Sequence, residues 1–353
     1  MPKCRNCGRS SPLIASTLGA CADCIRHFPE KVLPPIRETQ RETRAEFGLP
    51  LQPPRGEEGV LCPLCVNECR IPQEGRGFCG LRANKGGKLV HLAGTAKKGI
   101  LHWYYDPLPT NCVAAWVCEG SARWGHNNLA VFYGACSFNC LFCQNWHFRQ
   151  MGPEEEGLSA QELAERADSR TFCVCYFGGD PTPQIPHALA TSRLLARRGV
   201  RICWETNGSM QAKALEQMVG LSLESGGCVK FDLKAYDGSL HLALTGVTNR
   251  RTLDNFARAA EYIRERPNPP LLIASTLLVP GYIDAGEVGK IARFIASLDP
   301  EIPFSLLGFA PHFYLYDLPP TSVRHAQEGE AAAREAGLVN VHIGNRHLLS
   351  REY

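Results

Sequence analysis

No run of about 18 apolar residues occurs in this 353-residue chain, which excludes an ordinary transmembrane helix and any expectation of a membrane partner. The first residues, Met1-Pro-Lys-Cys-Arg5, lack the apolar core of a secretory signal, so a cytoplasmic location is expected. A strong charge of one sign is missing too. Thirty-eight Lys plus Arg against 35 Asp plus Glu leave only +3, too small an excess to point to nucleic acid or an anionic surface. Disorder and fibrous repeats are excluded by a 44% hydrophobic content. The length allows one domain of about 200 to 250 residues with appended modules.

Cysteine is the residue in excess. There are 17, many separated by only two or three residues, and in a reducing compartment such spacing indicates metal ligation rather than disulfides. Cys4-Arg-Asn-Cys7 and Cys21-Ala-Asp-Cys24 have the spacing of a four-thiolate zinc ribbon over residues 1–35, in which a structural zinc replaces the core that so short a segment cannot build. A docking role or a rubredoxin-like iron is the alternative. Pro34, Pro35, Pro50, Pro53 and Pro54 flank a charged stretch, so 36–58 reads as a linker with one short helix. The segment 59–127 is a cysteine-rich extension. In it Cys62, Cys65, Cys69 and Cys79 share one metal or cluster, and spacing leaves zinc and iron-sulfur both open. Cys112 and Cys118 are either packed thiols or ligands whose partners lie elsewhere in the chain.

From residue 128 to 345, β-branched runs alternate with helical periods. Strands are expected at 129–133, 172–177, 200–206, 228–233, 271–279 and 304–309, with a seventh at 340–343, and 346–353 forms a tail. Ser159-x-x-Glu162 and Asp284-x-x-Glu287 read as capping boxes, and Gly199 and Gly337 as C-terminal glycines. Six β-then-α units predict an α/β fold, a partial (β/α)6 TIM-like barrel behind the N-terminal metal-binding modules. Such a fold binds ligands at the C-terminal ends of its strands. There the chain carries Cys136-Ser-Phe-Asn-Cys140-Leu-Phe-Cys143, Gly178-Gly179-Asp180-Pro181, Glu205-Thr206-Asn207, Asp232-Leu-Lys234 and Pro280-Gly281. Three thiols at this spacing wrap one face of an iron-sulfur cube and, with no fourth cysteine following, leave one iron open to a small molecule.

The Cys-x3-Cys-x2-Cys loop after the first strand, with Phe142 before the last cysteine, resembles the signature of radical S-adenosylmethionine (SAM) enzymes. The longer pattern runs from Cys62 through Cys143-Gln-Asn-Trp146 and Gly178-Gly-Asp-Pro181 to Ile343-Gly-Asn345. It resembles the AmmeMemoRadiSam radical SAM proteins, relatives of the pyruvate formate-lyase activating enzyme. The resemblance implies a 4Fe-4S cluster on Cys136, Cys140 and Cys143 whose open iron is chelated by SAM. It places Gly178, Gly179, Asp180 and Pro181 at the SAM amino group and Glu205, Thr206 and Asn207 near ribose and sulfonium. Phe142, Pro280 and Gly281 would hold adenine. Asp232 and Lys234 are candidate catalytic contacts to substrate or SAM, with a surface ion pair as the plainer reading. His312, Tyr314 and Asn345 are weaker candidates for the substrate side. Reductive cleavage of SAM, fed by a donor such as flavodoxin or ferredoxin, would yield a radical that takes hydrogen from a substrate.

A polypeptide substrate, modified as in glycyl radical formation, is the leading expectation. Cobalamin-dependent C-methylation of a protein such as methyl-coenzyme M reductase is the second, although no Asp-x-His-x-x-Gly cobalamin module is present. A small-molecule substrate and a nonenzymatic metal scaffold complete the alternatives.

Overall fold

A computed structural model describes every residue from Met1 to Tyr353. In chain order it begins with helices α1 (Ala22–His27) and α2 (Pro29–Ala45). Two short antiparallel hairpins follow, β1 (Val60–Cys62) with β2 (Cys69–Ile71) and β3 (Arg82–Lys85) with β4 (Lys88–His91), and then strand β5 (Leu101–Pro107). Strand and helix then alternate through β6 (Asn127–Tyr133), α3 (Ala160–Glu165), β7 (Thr171–Gly178), α4 (Ile185–Ala196), β8 (Arg201–Thr206) and α5 (Ala212–Ser225). The second half runs β9 (Val229–Asp232), α6 (Gly238–Thr245), α7 (Arg250–Ala260), β10 (Leu272–Leu278), α8 (Ala285–Leu298), β11 (Phe304–Gly308), α9 (Val323–Glu335) and β12 (Val341–Gly344).

Strands β5 to β12 form one sheet in strict chain order, parallel from β6 onward. An order that never reverses sends each right-handed crossover to the same face, so the sheet curls as an unclosed barrel; a doubly wound sheet would reverse at a switch point. The partial barrel expected from the sequence is therefore the fold. Strand β5, antiparallel to β6, was not foreseen: Leu101-His-Trp-Tyr-Tyr-Asp-Pro107 is largely exposed and lacks the inside-outside alternation that marks a strand.

Two local expectations need correcting. The segment from residue 36 is not a linker at its start, because α2 crosses the boundary at 35 and carries Pro34 and Pro35 within it. Proline at N1 suits the start of this helix, and its buried face of Val32, Leu33, Ile36, Gln40 and Thr43 offsets the amide hydrogen bonds the internal prolines forgo. The capping box at Ser159 is complete, but that at Asp284 is half formed. The buried Glu287 carboxylate instead accepts the backbone N–H groups of Tyr236 and Asp237, at 2.8 and 2.7 Å, and faces Arg26.

The loop between β5 and β6 fills the concave side of the sheet. Ala114 is buried against Cys228 and Ile273, the Trp116 indole donates to Ser305 Oγ at 2.9 Å, and that hydroxyl donates to the Val113 carbonyl at 2.7 Å. One continuous apolar core joins the N-terminal cysteine segment to the barrel. No helix is long and apolar enough to cross a membrane.

Candidate active site

The loop carrying the three cysteines leaves the C-terminal end of β6 with Ala135 at φ +72°. It is fixed from every side. The Gly179 amide donates to the Tyr133 carbonyl at 2.8 Å and the Asp180 amide to that of Ala135 at 3.1 Å. A Cβ on Gly179 would stand 2.0 Å from the Ala135 oxygen, so this approach requires glycine. Asn139 donates its side-chain amide to the Gln40 carbonyl of α2 at 2.9 Å, and Asn67, from the Cys62 segment, donates to the Ser137 carbonyl at 2.7 Å. Asn207 donates to Ser137 Oγ at 2.9 Å. Held this way, the thiols of Cys136, Cys140 and Cys143 all face one cavity of about 250 Å³ at the C-terminal ends of the strands. Burial pushes Cys140 up to about 12 and raises the other two, so these thiols stay protonated until a metal displaces the proton.

The opposite wall is built from the ends of β7 to β9. Asp180 is buried, and burial raises its pKa; its carboxylate accepts the amides of Thr182 at 2.8 Å and Asn207 at 2.7 Å and the Thr206 hydroxyl at 3.1 Å. Asp180, Thr206 and Asn207 are thus occupied in clamping β7 to β8 and shape the cavity through that brace. Glu205 accepts from the buried Lys230 ammonium at 2.9 Å. Asp232 is paired with Lys234, while its Oδ1 has no partner. Burial works against the Lys234 charge, but the paired Asp232 carboxylate outweighs it and raises its pKa. The ammonium stands 5.5 Å from the centre of the Phe142 ring, also in the wall.

Arg149 was not anticipated. It is 6% exposed, lines the cavity, and all three of its guanidinium nitrogens lack a hydrogen-bond partner. Its charge offsets part of the burial effect on Cys143. Nothing in a single arginine codon position signals burial, and Lys230 escaped sequence reasoning for the same reason.

Several expected residues lie elsewhere. Pro181 starts a short 3-10 turn outside the cavity wall. The expectation that Pro280 and Gly281 hold adenine is corrected: a Cβ on Gly281 would meet the Leu13 carbonyl at 2.1 Å, because the N-terminal cysteine segment docks on this turn, where the Tyr282 hydroxyl donates to the Ala20 carbonyl at 3.0 Å. His312 is exposed, and Tyr314 is occupied by Glu46. Asn345, at φ +50°, does line the cavity. Just beyond the triad, the Trp146 ring lies 6.2 Å from that of Phe47 and stacks 5.9 Å from Phe313.

Residues 130–295, from within β6 to within α8, match the model of the radical SAM superfamily. This match spans 166 of the 353 residues. Three curated relatives accompany the match. An uncharacterized protein of Methanocaldococcus jannaschii is 27% identical over 81% of this chain and 81% of its own length. The isethionate sulfite-lyase activating enzyme of Oleidesulfovibrio alaskensis is 32% identical over 39% of this chain and 43% of its own. The pyruvate formate-lyase 1-activating enzyme of Escherichia coli is 25% identical over 48% of this chain and 70% of its own. The chain is similar to radical SAM enzymes of this activating kind, and the superfamily's chemistry implies a 4Fe-4S cluster and SAM.

The residues present fit both groups. Three thiols on one wall suit a cluster with one open iron. A buried guanidinium without a hydrogen-bond partner in the protein suits an anion, and SAM carries a carboxylate.

The N-terminal cysteines form a separate centre. The Sγ atoms of Cys4, Cys7, Cys21 and Cys24 lie within 4.8 Å of one another, and Asn6 donates to Cys24 Sγ at 3.3 Å. This set can hold a metal ion. Cys62, Cys65, Cys69 and Cys79 together line a smaller void of about 10 Å³, where burial pushes Cys69 up to about 11.

Proposed function

We propose that Cys136, Cys140 and Cys143 hold the cluster, that SAM occupies the adjoining cavity, and that the enzyme takes hydrogen from a polypeptide, as in glycyl radical formation. The observation that carries this reading is Arg149, a buried cation that packs over the Phe148 and Phe313 rings but has no hydrogen-bond partner in the protein, beside an all-thiol triad. When bound, the reduced cluster and SAM supply a radical that abstracts hydrogen. Arg149 grips the SAM carboxylate, and the tight Gly178-Gly179 backbone lets the amino group approach. Glu205 and the free Oδ1 of Asp232 accept hydroxyl or amide hydrogens, with Lys230 and Lys234 fixing those two carboxylates in place. Phe142 and the packed loop at 108–126 keep water from the reacting atoms.

The cavity lies at the C-terminal ends of the strands, where a protruding loop of polypeptide can present its hydrogen donor from the rim. Two relatives named as activating enzymes of lyases support a protein substrate. A flavodoxin or ferredoxin would deliver the electron. The Cys4 set would hold one structural zinc.

The test is anaerobic reconstitution with SAM and a strong reductant, reading 5′-deoxyadenosine by mass spectrometry. Deoxyadenosine that rises with an added lyase-type partner supports the proposal. No deoxyadenosine from a chain with an intact cluster overturns it, and S-adenosylhomocysteine rising with methylcobalamin would assign methylation instead. Zinc that stays bound in Cys21→Ser contradicts the ribbon assignment.

A further inference from the structure

Eleven of the 17 cysteines belong to the triad and the two N-terminal sets, which leaves six. All six, Cys112, Cys118, Cys173, Cys175, Cys203 and Cys228, line a single second cavity of about 150 Å³ on the concave side of the sheet. They come from four separate segments. Cys173 and Cys175 are two apart on β7 and so share a face. Cys175 is in register with Cys203 of β8, and the Trp204 amide donates to the Cys228 carbonyl at 3.0 Å, so three neighbouring strands present a row of thiols. Cys112 and Cys118 descend on this row from the loop that fills the barrel. The cavity adjoins the SAM cavity, since Phe177, Glu205 and Lys230 line both.

The donor set narrows the chemistry. Six thiols with no histidine in the wall select a thiophilic metal or an iron-sulfur cluster. Adjacent strands lie about 4.8 Å apart, wider than the roughly 3.8 Å between sulfurs that a single tetrahedral thiolate ion requires from its bond lengths. Among the cysteines only Cys4, Cys7, Cys21 and Cys24 form a set whose sulfurs all lie within 4.8 Å of one another. Thiols spread this widely suit a polynuclear centre. The charge fits as well. Lys230, 2% exposed, directs its ammonium at Cys112 Sγ (3.1 Å) and Cys175 Sγ (3.0 Å), a positive group placed where a thiolate-ligated cluster would carry negative charge.

We propose that this cavity is a second iron-sulfur site inside the barrel, with Cys175, Cys203 and Cys228 from the sheet and Cys112 from the filling loop as ligands. It does not depend on the identity of the substrate.

The test uses the full chain with Cys136→Ala, Cys140→Ala and Cys143→Ala, reconstituted anaerobically with iron and sulfide. Iron and labile sulfide per chain are measured, with electron paramagnetic resonance of the reduced protein. That chain is expected to keep iron, and adding Cys175→Ala with Cys203→Ala is expected to remove about two to four irons while zinc and the melting temperature are retained. Cys112→Ser, which lies on the loop and spares the sheet, provides the same comparison if the strand variant fails to fold. Iron and spectrum unchanged by Cys112→Ser would overturn the proposal, as would a triad-deficient chain that binds no iron or takes up only zinc or copper in this cavity.

Discussion

The side-chain amide of Asn67 donates to the carbonyl oxygen of Ser137 at 2.7 Å, a buried bond that ties the Cys62 segment to the loop carrying Cys136, Cys140 and Cys143. Asn67→Ala leaves that carbonyl buried without its donor, a cost of about 1–3 kcal/mol. The expected result is a lower melting temperature together with faster loss of triad iron on gel filtration. Iron retention equal to that of the unsubstituted protein would show that the extension does not support the loop.

Arg149→Leu removes from the cavity a guanidinium that has no hydrogen-bond partner in the protein. Loss of a charge-assisted hydrogen bond worth roughly 1.5–3 kcal/mol weakens SAM binding by about 10- to 100-fold. Equilibrium dialysis at matched iron content reads this directly. Arg149→Lys should recover part of the affinity, and an unchanged affinity in the leucine variant would remove Arg149 from the site.

Two glycine substitutions should act in opposite directions. Gly179→Ala drives a methyl to 2.0 Å from the Ala135 oxygen and is expected to cost more than about 2 kcal/mol in urea unfolding. Gly220, inside α5, has nothing within 4 Å of an added Cβ, so Gly220→Ala should stabilise by about 0.5–1 kcal/mol.

Stability should fall on mild acidification. His187 accepts or donates at the Tyr133 hydroxyl, 2.7 Å away, and burial pushes it down to about 4; His241, bonded to the Val247 carbonyl, is likewise pushed to about 4. Because these folded-state values lie below the unfolded value of about 6.5, the contribution is complete above pH 6.5 and is lost as pH falls towards 4, up to about 3 kcal/mol per histidine. Melting temperatures between pH 7.5 and 5 should decline, and His241→Gln should make that decline shallower. A flat profile would contradict neutral buried imidazoles.

The barrel was legible because its signals are local: β-branched runs, glycine ends and a complete cap at Ser159 each announce themselves within a few residues. That Cys136, Cys140 and Cys143 would gather at one strand end was legible for the same reason. Arg149, Lys230 and the six-thiol cavity were not, since each depends on contacts between segments far apart in the chain. Lys230 meets Cys112 across 118 positions, and no periodicity records that. Strand β5 and helix α2 were hidden by a different conflict, in which tertiary packing overrode weak or proline-broken local preference. The Pro280-Gly281 turn misled because a glycine at a strand end accommodates a docked module as readily as a ligand.

Trp146, three residues beyond Cys143 and packed with the Phe47 and Phe313 rings, also gives the protein an optical property. An iron-sulfur centre absorbs across the band in which indole emits, so assembly on the neighbouring cysteines should darken this fluorophore, and the fading of its emission would time the arrival of the cluster without any added label.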